Sequence, residues 1–180
     1  MKQHIRRVHL AQRKELTPDL RARLDAALST RLLAWLEGQA VRCLGVYWPI
    51  RGEPDLRHAY DAIARRGVQL ALPIVVGPDL PLRFAAWSPG EPTEAGPMNV
   101  PVPAPPHRIV TPDVLLIPCV GFNREKTRLG YGGGFYDRTL AQAPRPLAIG
   151  IAYQQALADF AAEAHDVALD VVLTDEAEFI

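Results

Sequence analysis

The chain alternates between two hydrophobic rhythms. From Leu20 onward, Leu24, Leu28, Leu32 and Trp35 recur at three- and four-residue intervals as far as Gly38, which is the period of an amphipathic helix. Thr17, Pro18 and Asp19 supply its cap and first turn, and Gly38 marks its stop. A shorter helix is predicted before it, carrying Lys2, Arg6 and Arg7 near its start. The segment VRCLGVYW (41–48) is a compact apolar run closed by Pro49, the signature of a buried strand. Helical spacing returns over 54–66, with Leu56, Tyr60 and Ile63 on one face. VQLALPIVV (68–76), PLRFAAW (81–87), DVLLIPCVGF (113–122), PLAIGIAY (146–153) and LDVVLTD (169–175) predict further strands, and 135–142 a last helix.

Between Pro89 and Pro112 lie eight of the chain's 17 prolines. So many missing backbone donors predict an extended loop wrapping the domain. Elsewhere, helices alternate with strands that are apolar almost throughout, which implies an α/β fold whose mostly parallel sheet is covered on both faces. No internal repeat or linker divides the chain, so 1–180 reads as a single domain.

Composition narrows the function classes. A chain of 180 residues can bury a core without disulfides or metal. Twenty basic and 20 acidic side chains cancel, which argues against a nucleic-acid or anionic-membrane surface built on bulk charge. An anionic ligand must therefore be met locally. The N-terminus MKQHIRRVHLAQRK lacks the apolar stretch of a secretory signal, and no apolar run approaches a membrane span. A cytoplasmic protein with no membrane and no nucleic-acid partner is the expectation. Cys43 and Cys119 sit in apolar segments and read as buried thiols. None of the five histidines stands at metal-ligand spacing, and His165 beside Asp166 reads as a surface neighbour.

The chemistry concentrates in RLGYGGGFYDR (128–138), which sets four glycines among five positions between a buried strand and a helix start. In open α/β sheets that is where ligands dock. Glycine's missing Cβ lets several backbone N–H groups face one point, and phosphate is the ligand that best matches such a cradle. The loop is neither of the common phosphate motifs: Phe135 follows Gly134 where a Walker loop needs lysine, and it also stands where a dinucleotide fingerprint needs its third glycine. Arg128 is placed to meet phosphate oxygens and Asp137 to hold a magnesium ion. Arginine, glycine and aromatics interleaved are also a feature of RNA-recognition strands, but these glycines are too dense for a strand and no second aromatic-rich strand accompanies them.

The longer segment PCVGFNREKTRLGYGGGFYDRTL (118–140) closely resembles the signature of the 5-formyltetrahydrofolate cyclo-ligase family. The likeness runs nearly end to end. Lys2 and Arg6 resemble the family's N-terminal basic element, VYWPIRGEPDL (46–56) its strand-loop with a substrate-binding glutamate, PLRFAAW and MNVPVPA its middle segments, and HDVALDVVLTD (165–175) its C-terminal strand. The resemblance implies a three-layer α/β/α domain that uses ATP and Mg2+ to cyclise 5-formyltetrahydrofolate to 5,10-methenyltetrahydrofolate.

It also implies residue roles. Lys2, Gln3, His4, Ile5 and Arg6 would contact ATP together with Arg128, Leu129, Gly130, Tyr131, Gly132, Gly133, Gly134, Phe135 and Tyr136. Lys2, Arg128 and Tyr136 would take part in catalysis. Arg6, Trp48, Glu53, Phe84 and Met98 would meet the folate, as would Tyr131 through Phe135. Asp137 and Asp166 would coordinate magnesium. A monomer binding two small molecules, ATP and a reduced folate, is expected. The alternatives are an ATP-dependent enzyme of the same fold acting on another formyl or carboxyl compound, and a non-catalytic folate- or RNA-binding protein. This chain departs from the family pattern at Asn123, where a carboxylate is usual, and at Lys126, where a glycine is usual. Another shape is therefore expected for the turn that enters the loop.

Overall fold

The computed structural model describes residues Met1–Ile180. Helix α1 (Lys2–Glu15) leads into α2 (Pro18–Glu37), whose first turn is capped by the Thr17 hydroxyl accepting from Leu20 N at 3.3 Å. Then follow β1 (Cys43–Gly45), α3 (Arg57–Arg65), β2 (Gln69–Ile74) and β3 (Arg83–Trp87). The proline-rich stretch contains β4 (Thr93–Ala95), β5 (Pro101–Pro103) and β6 (Ile109–Val110). After it come β7 (Val114–Pro118), β8 (Gly121–Phe122), β9 (Arg128–Leu129), α4 (Phe135–Leu140), β10 (Leu147–Ile151), β11 (Val171–Leu173) and β12 (Glu178–Phe179).

Eight strands form one sheet in the order β12-β11-β10-β7-β1-β2-β3-β6. The five central strands, β11 to β2, run parallel, and the outer strands β12, β3 and β6 are antiparallel to their neighbours. Leu44, Leu70, Leu72, Leu116, Ile149 and Leu173 point to one face, where α2 and α3 bring Leu28, Leu32, Tyr60 and Ile63. Their strand neighbours Ala71, Leu115, Ile117, Ala148 and Val172 point to the other face, against Leu140 of α4, Phe122 and Leu169. This two-residue alternation within apolar runs is what a sheet buried on both sides requires. The second covering layer is thin, because α4 has only six residues and loops do most of the covering.

The proline-rich stretch is more ordered than its composition predicts. β4 and β5 form a small antiparallel ribbon of their own, and β6 pairs with β3 to become the edge of the sheet. Proline is tolerated in short edge strands, where one side of the backbone has no ladder to join. The predicted helix over 54–66 begins later, at Arg57, because the Tyr47 hydroxyl takes the Pro54 carbonyl at 2.7 Å and holds that segment as coil. No helix is long and apolar enough to cross a membrane.

The strand order also locates the site. From β1 the chain moves through α3 to β2 on one side, whereas β7, β10 and β11 build outward on the other. The loops leaving β1 and β7 therefore diverge, and the crevice between them is the switch point where α/β sheets bind ligands.

Candidate active site

The β1 loop carries Glu53 into that crevice. Its carboxylate is 4% exposed and accepts from Ile50 N at 3.0 Å on Oε2 and from the Tyr131 hydroxyl at 3.0 Å on Oε1. Burial pushes its pKa up from 4.5 to about 6, and the two hydrogen bonds only partly oppose that. Tyr131 lies in the glycine loop that follows β9, so this one hydrogen bond spans the switch point. The Arg51 guanidinium stacks over the Tyr131 ring at 5.0 Å.

The glycine loop is held open by its own flanks. Gly132 and Gly134 have φ of 100° and 65°, a region that residues with a Cβ enter at a cost. A Cβ on Gly132 would meet nothing within 4 Å, so the concave side of the bend is free space. The Gly130 carbonyl accepts from Arg6 Nε at 2.8 Å, and the Gly133 carbonyl from Arg138 Nη2 at 2.7 Å. Arg128, 8% exposed, donates from Nη2 to Asp137 Oδ2 at 2.9 Å and lies 5.3 Å from the Tyr136 ring centroid, while its Nε has no partner. Burial pushes the Tyr136 phenol up, so it stays protonated at neutral pH. A six-residue α4 has little macrodipole to offer, so cationic side chains carry the positive charge here.

Across the loop, the start of α1 meets the segment before β11. Lys2 Nζ reaches Asp166 Oδ2 at 2.6 Å and Glu163 Oε1 at 3.3 Å. Burial opposes the charge on both Lys2 and Asp166, but their ion pair prevails, raising the lysine and lowering the aspartate. Asp137 Oδ1 is 3.4 Å from Val167 N, which ties the loop's acid to the same segment. Gln3 and His4 are exposed and Ile5 half-buried. Gln3 lines a cleft of about 450 Å³ with Lys2, Arg6 and Glu163, whereas His4 pairs with Arg7. Asp166 also clusters with Glu163 and His165, with Asp137 outside that group.

Arg6, Glu53, Tyr131, Arg128 and Asp137 are thus linked by contacts to or within the glycine-loop segment, and Lys2 to the segment before β11 that Asp137 also meets, whereas three other candidates behave differently. Phe84 is 4% exposed within the core beneath Gly45, so it is a packing residue of the central sheet. Trp48 is half-buried, edge-on to Trp87 at 5.9 Å between ring centroids, with Arg57 over its face. Met98 is 71% exposed, with φ of 57°. Cys119 is buried as expected and Cys43 is half-buried; burial raises both thiols, Cys119 to about 11, which leaves neither a nucleophile.

The departures from the family pattern are structural. Asn123 is buried, accepting from Thr127 N at 2.8 Å and donating to the Phe160 carbonyl at 2.9 Å. Lys126 has φ of 61°, which accounts for a glycine preference at that position.

One residue was not singled out by sequence patterns. Arg13 is 2% exposed, and its Nη2 donates to the Cys119 carbonyl. The readable signal is the spacing of Lys2, Arg6, His9 and Arg13, at intervals of four, three and four, which places all four on one face of α1. That face turns inward at its C-terminal half, where His9 Nδ1 meets the Val120 carbonyl at 3.1 Å.

A parallel-sheet domain with a glycine loop, flanking cations and a buried carboxylate at its switch point has the features of a phosphate-handling enzyme of the α/β class. Comparison narrows this to one family. Residues 1–175 match the model of the 5-formyltetrahydrofolate cyclo-ligase family, and the chain belongs to it. It is 34% identical over 154 residues to the 5-formyltetrahydrofolate cyclo-ligase of Mycolicibacterium smegmatis, covering 79% of each chain. It is 30% identical to that of Mycoplasma pneumoniae, covering 97% of this chain and 99% of the relative. Among solved structures, the 5,10-methenyltetrahydrofolate synthetase of Aquifex aeolicus superposes with a TM-score of 0.84 at 27% identity, covering 98% of this chain and 91% of the other. That of Mycoplasma pneumoniae gives 0.81 at 27% identity, covering 97% and 98%.

Proposed function

We propose that this ligase cyclises 5-formyltetrahydrofolate to 5,10-methenyltetrahydrofolate with ATP, releasing ADP and phosphate. The observation that carries the reading is the pairing, across one crevice, of a buried carboxylate with a glycine bend ringed by Lys2, Arg6 and Arg128. A formamide carbonyl is a poor electrophile and its oxygen a poor leaving group. Transfer of the γ-phosphoryl group to the formyl oxygen makes an imidate-like phosphate. N10 then attacks the formyl carbon and gives up its proton, the carbon–oxygen bond breaks, and phosphate departs. The protein's contribution is positioning and charge stabilisation.

In this reading Lys2, Arg6 and Arg128 exchange their protein acceptors for phosphate oxygens, and backbone N–H groups of 129–136 line the phosphate chain. Tyr136, protonated because it is buried, is available as a neutral donor at the transferring group. Glu53 accepts from the N–H donors of the pterin once Tyr131 releases it. Tyr131 to Phe135 and Trp48 border the folate. The hard oxygen donors of Asp137, tied to the Asp166 segment through Val167 N, suit magnesium. When bound, magnesium neutralises charge on the phosphates. In this reading the protein is a cytoplasmic enzyme that works as a monomer on two small molecules, ATP and a reduced folate.

The amidine chromophore of the product, absent from the substrate, tests the reading directly. Absorbance should appear only with 5-formyltetrahydrofolate, ATP and magnesium together. ADP release without that absorbance favours another formyl or carboxyl substrate, and neither signal favours a non-catalytic binder.

A further inference from the structure

Arg13 is an expensive residue to leave as it stands. A guanidinium carries five N–H donors and never sheds its charge in a protein. Only Nη2 is used, on the Cys119 carbonyl, while Nε and Nη1 are buried without any partner. Unmet buried donors are rare and costly, and where they persist they point to a function. The residue is held firmly in place. The Arg21 guanidinium donates to both the Arg13 carbonyl and the Gly52 carbonyl, tying α1 to the loop that presents Glu53. Arg13 lines a cleft of about 520 Å³ with Leu10, Lys14, Arg51 and Gly52. A Cβ on Gly52, the residue before Glu53, would lie 3.6 Å from Arg13 Cβ, and the Glu53 carboxylate meets the Tyr131 hydroxyl, so the three residues share one locality.

Resting on the folate reading, we propose that Arg13 is a substrate-binding residue that donates to the 4-oxo group of the heterocycle while Glu53 accepts from its N3–H and 2-amino groups. A 2-amino-4-oxo pyrimidine ring presents two donors and, immediately beside them, one carbonyl acceptor. A carboxylate alone meets the first two and leaves the oxygen bare. The crevice supplies the missing donor within the same locality as Glu53, whose carboxylate accepts from Ile50 N on one oxygen and from the Tyr131 hydroxyl on the other. When Tyr131 leaves, the heterocycle satisfies acid and base together. The site thereby reads the functional group at the 4-position and not merely the shape of the ring.

The test is equilibrium calorimetry of the wild type and Arg13→Met with two ligands, 5-formyltetrahydrofolate and its 4-thioxo counterpart, in which sulfur, a poor hydrogen-bond acceptor, replaces the 4-oxo oxygen and the N3–H that faces Glu53 is kept. The wild type should prefer the 4-oxo ligand by about 10-fold or more, since a buried donor that loses its acceptor is left unpaired. In Arg13→Met that preference should collapse to under about 3-fold, whereas a purely structural role would weaken both ligands equally. An unchanged preference in the variant overturns the assignment. So does a wild type that binds both ligands alike, a measurement that holds even where Arg13→Met fails to fold. A wild type that binds neither ligand sinks the folate reading itself, and this assignment with it.

Discussion

Replacing Glu53 by glutamine should make the protein more stable while disabling it. The carboxyl rises from 4.5 to about 6 because folding buries its charge. The folded state therefore holds the Glu53 proton more tightly than the unfolded chain does. The penalty is absent below pH 4.5, grows between 4.5 and 6, and stays constant above. At 1.36 kcal/mol per pH unit it amounts to about 2 kcal/mol at neutral pH. Glutamine carries no charge, and its amide can serve both present partners, with the oxygen toward Ile50 N and the nitrogen toward the Tyr131 oxygen. Urea unfolding of wild type and Glu53→Gln from pH 4.5 to 7.5 isolates the effect, since every other titrating group is common to both. The variant's advantage should grow by about 2 kcal/mol across this window, which raises Tm by about 4–8 °C near neutrality. Its affinity for 5-formyltetrahydrofolate should fall about 100-fold. Parallel stability profiles would refute the claim that Glu53 is held as an uncompensated buried charge.

Asp137→Asn should lower magnesium-dependent turnover at least about 100-fold and cost about 1–3 kcal/mol of stability, because the buried Arg128 loses its charged acceptor; identical magnesium titrations of the two proteins would remove Asp137 from the site. Gly132→Ala meets no steric obstacle but must adopt a φ of 100°, so the loop should lose about 1–2 kcal/mol of its preferred shape and ATP affinity should drop about 10-fold by calorimetry. Lys126→Gly relieves a left-handed lysine at the cost of a more flexible unfolded chain, for a net gain of about 0.5–1 kcal/mol in chemical denaturation.

The parallel sheet was legible because burial on two faces leaves so plain a mark: runs such as VLLIP have no polar alternation to hide behind. Strand ends were not. VRCLGVYW pairs only through Cys43–Gly45, because β1 lies between two neighbours whose ladders diverge just where the ligand crevice opens. Arg128 and Asp137 announced themselves by charge beside the glycines, whereas Lys2, Arg6 and Glu53 stood out only through the resemblance to the family. Phe84 and Met98 could not be placed, because an aromatic or thioether looks the same in a core, on a surface or along a ligand slot. Arg13 hid for the opposite reason: an arginine on a basic helix is ordinarily solvated, and only the three-dimensional path of α1 over the β7 end buries it.

Several polar groups around the crevice already have a partner within the chain: Lys2 has Asp166, Arg6 the Gly130 carbonyl, Arg128 has Asp137, and Tyr131 covers Glu53. In the proposed reaction these are the pairs that substrate binding must exchange. The two ion pairs let the site keep Lys2 and Arg128 charged inside the fold, because each has a carboxylate beside it. The arrangement also makes the two substrates compete with the protein's own groups, so part of each binding energy goes into opening the site. Neutralising one resting partner should therefore tighten a substrate while loosening the fold, the inverse of what Glu53→Gln does. Tyr131→Phe is the clean case: without its hydroxyl, Glu53 loses one hydrogen bond and its pKa climbs further above 6. The free protein then melts lower by about 1 kcal/mol, and KM for the folate falls. A KM that rose together with the loss of stability would mean that Tyr131 holds the folate and does not guard its place.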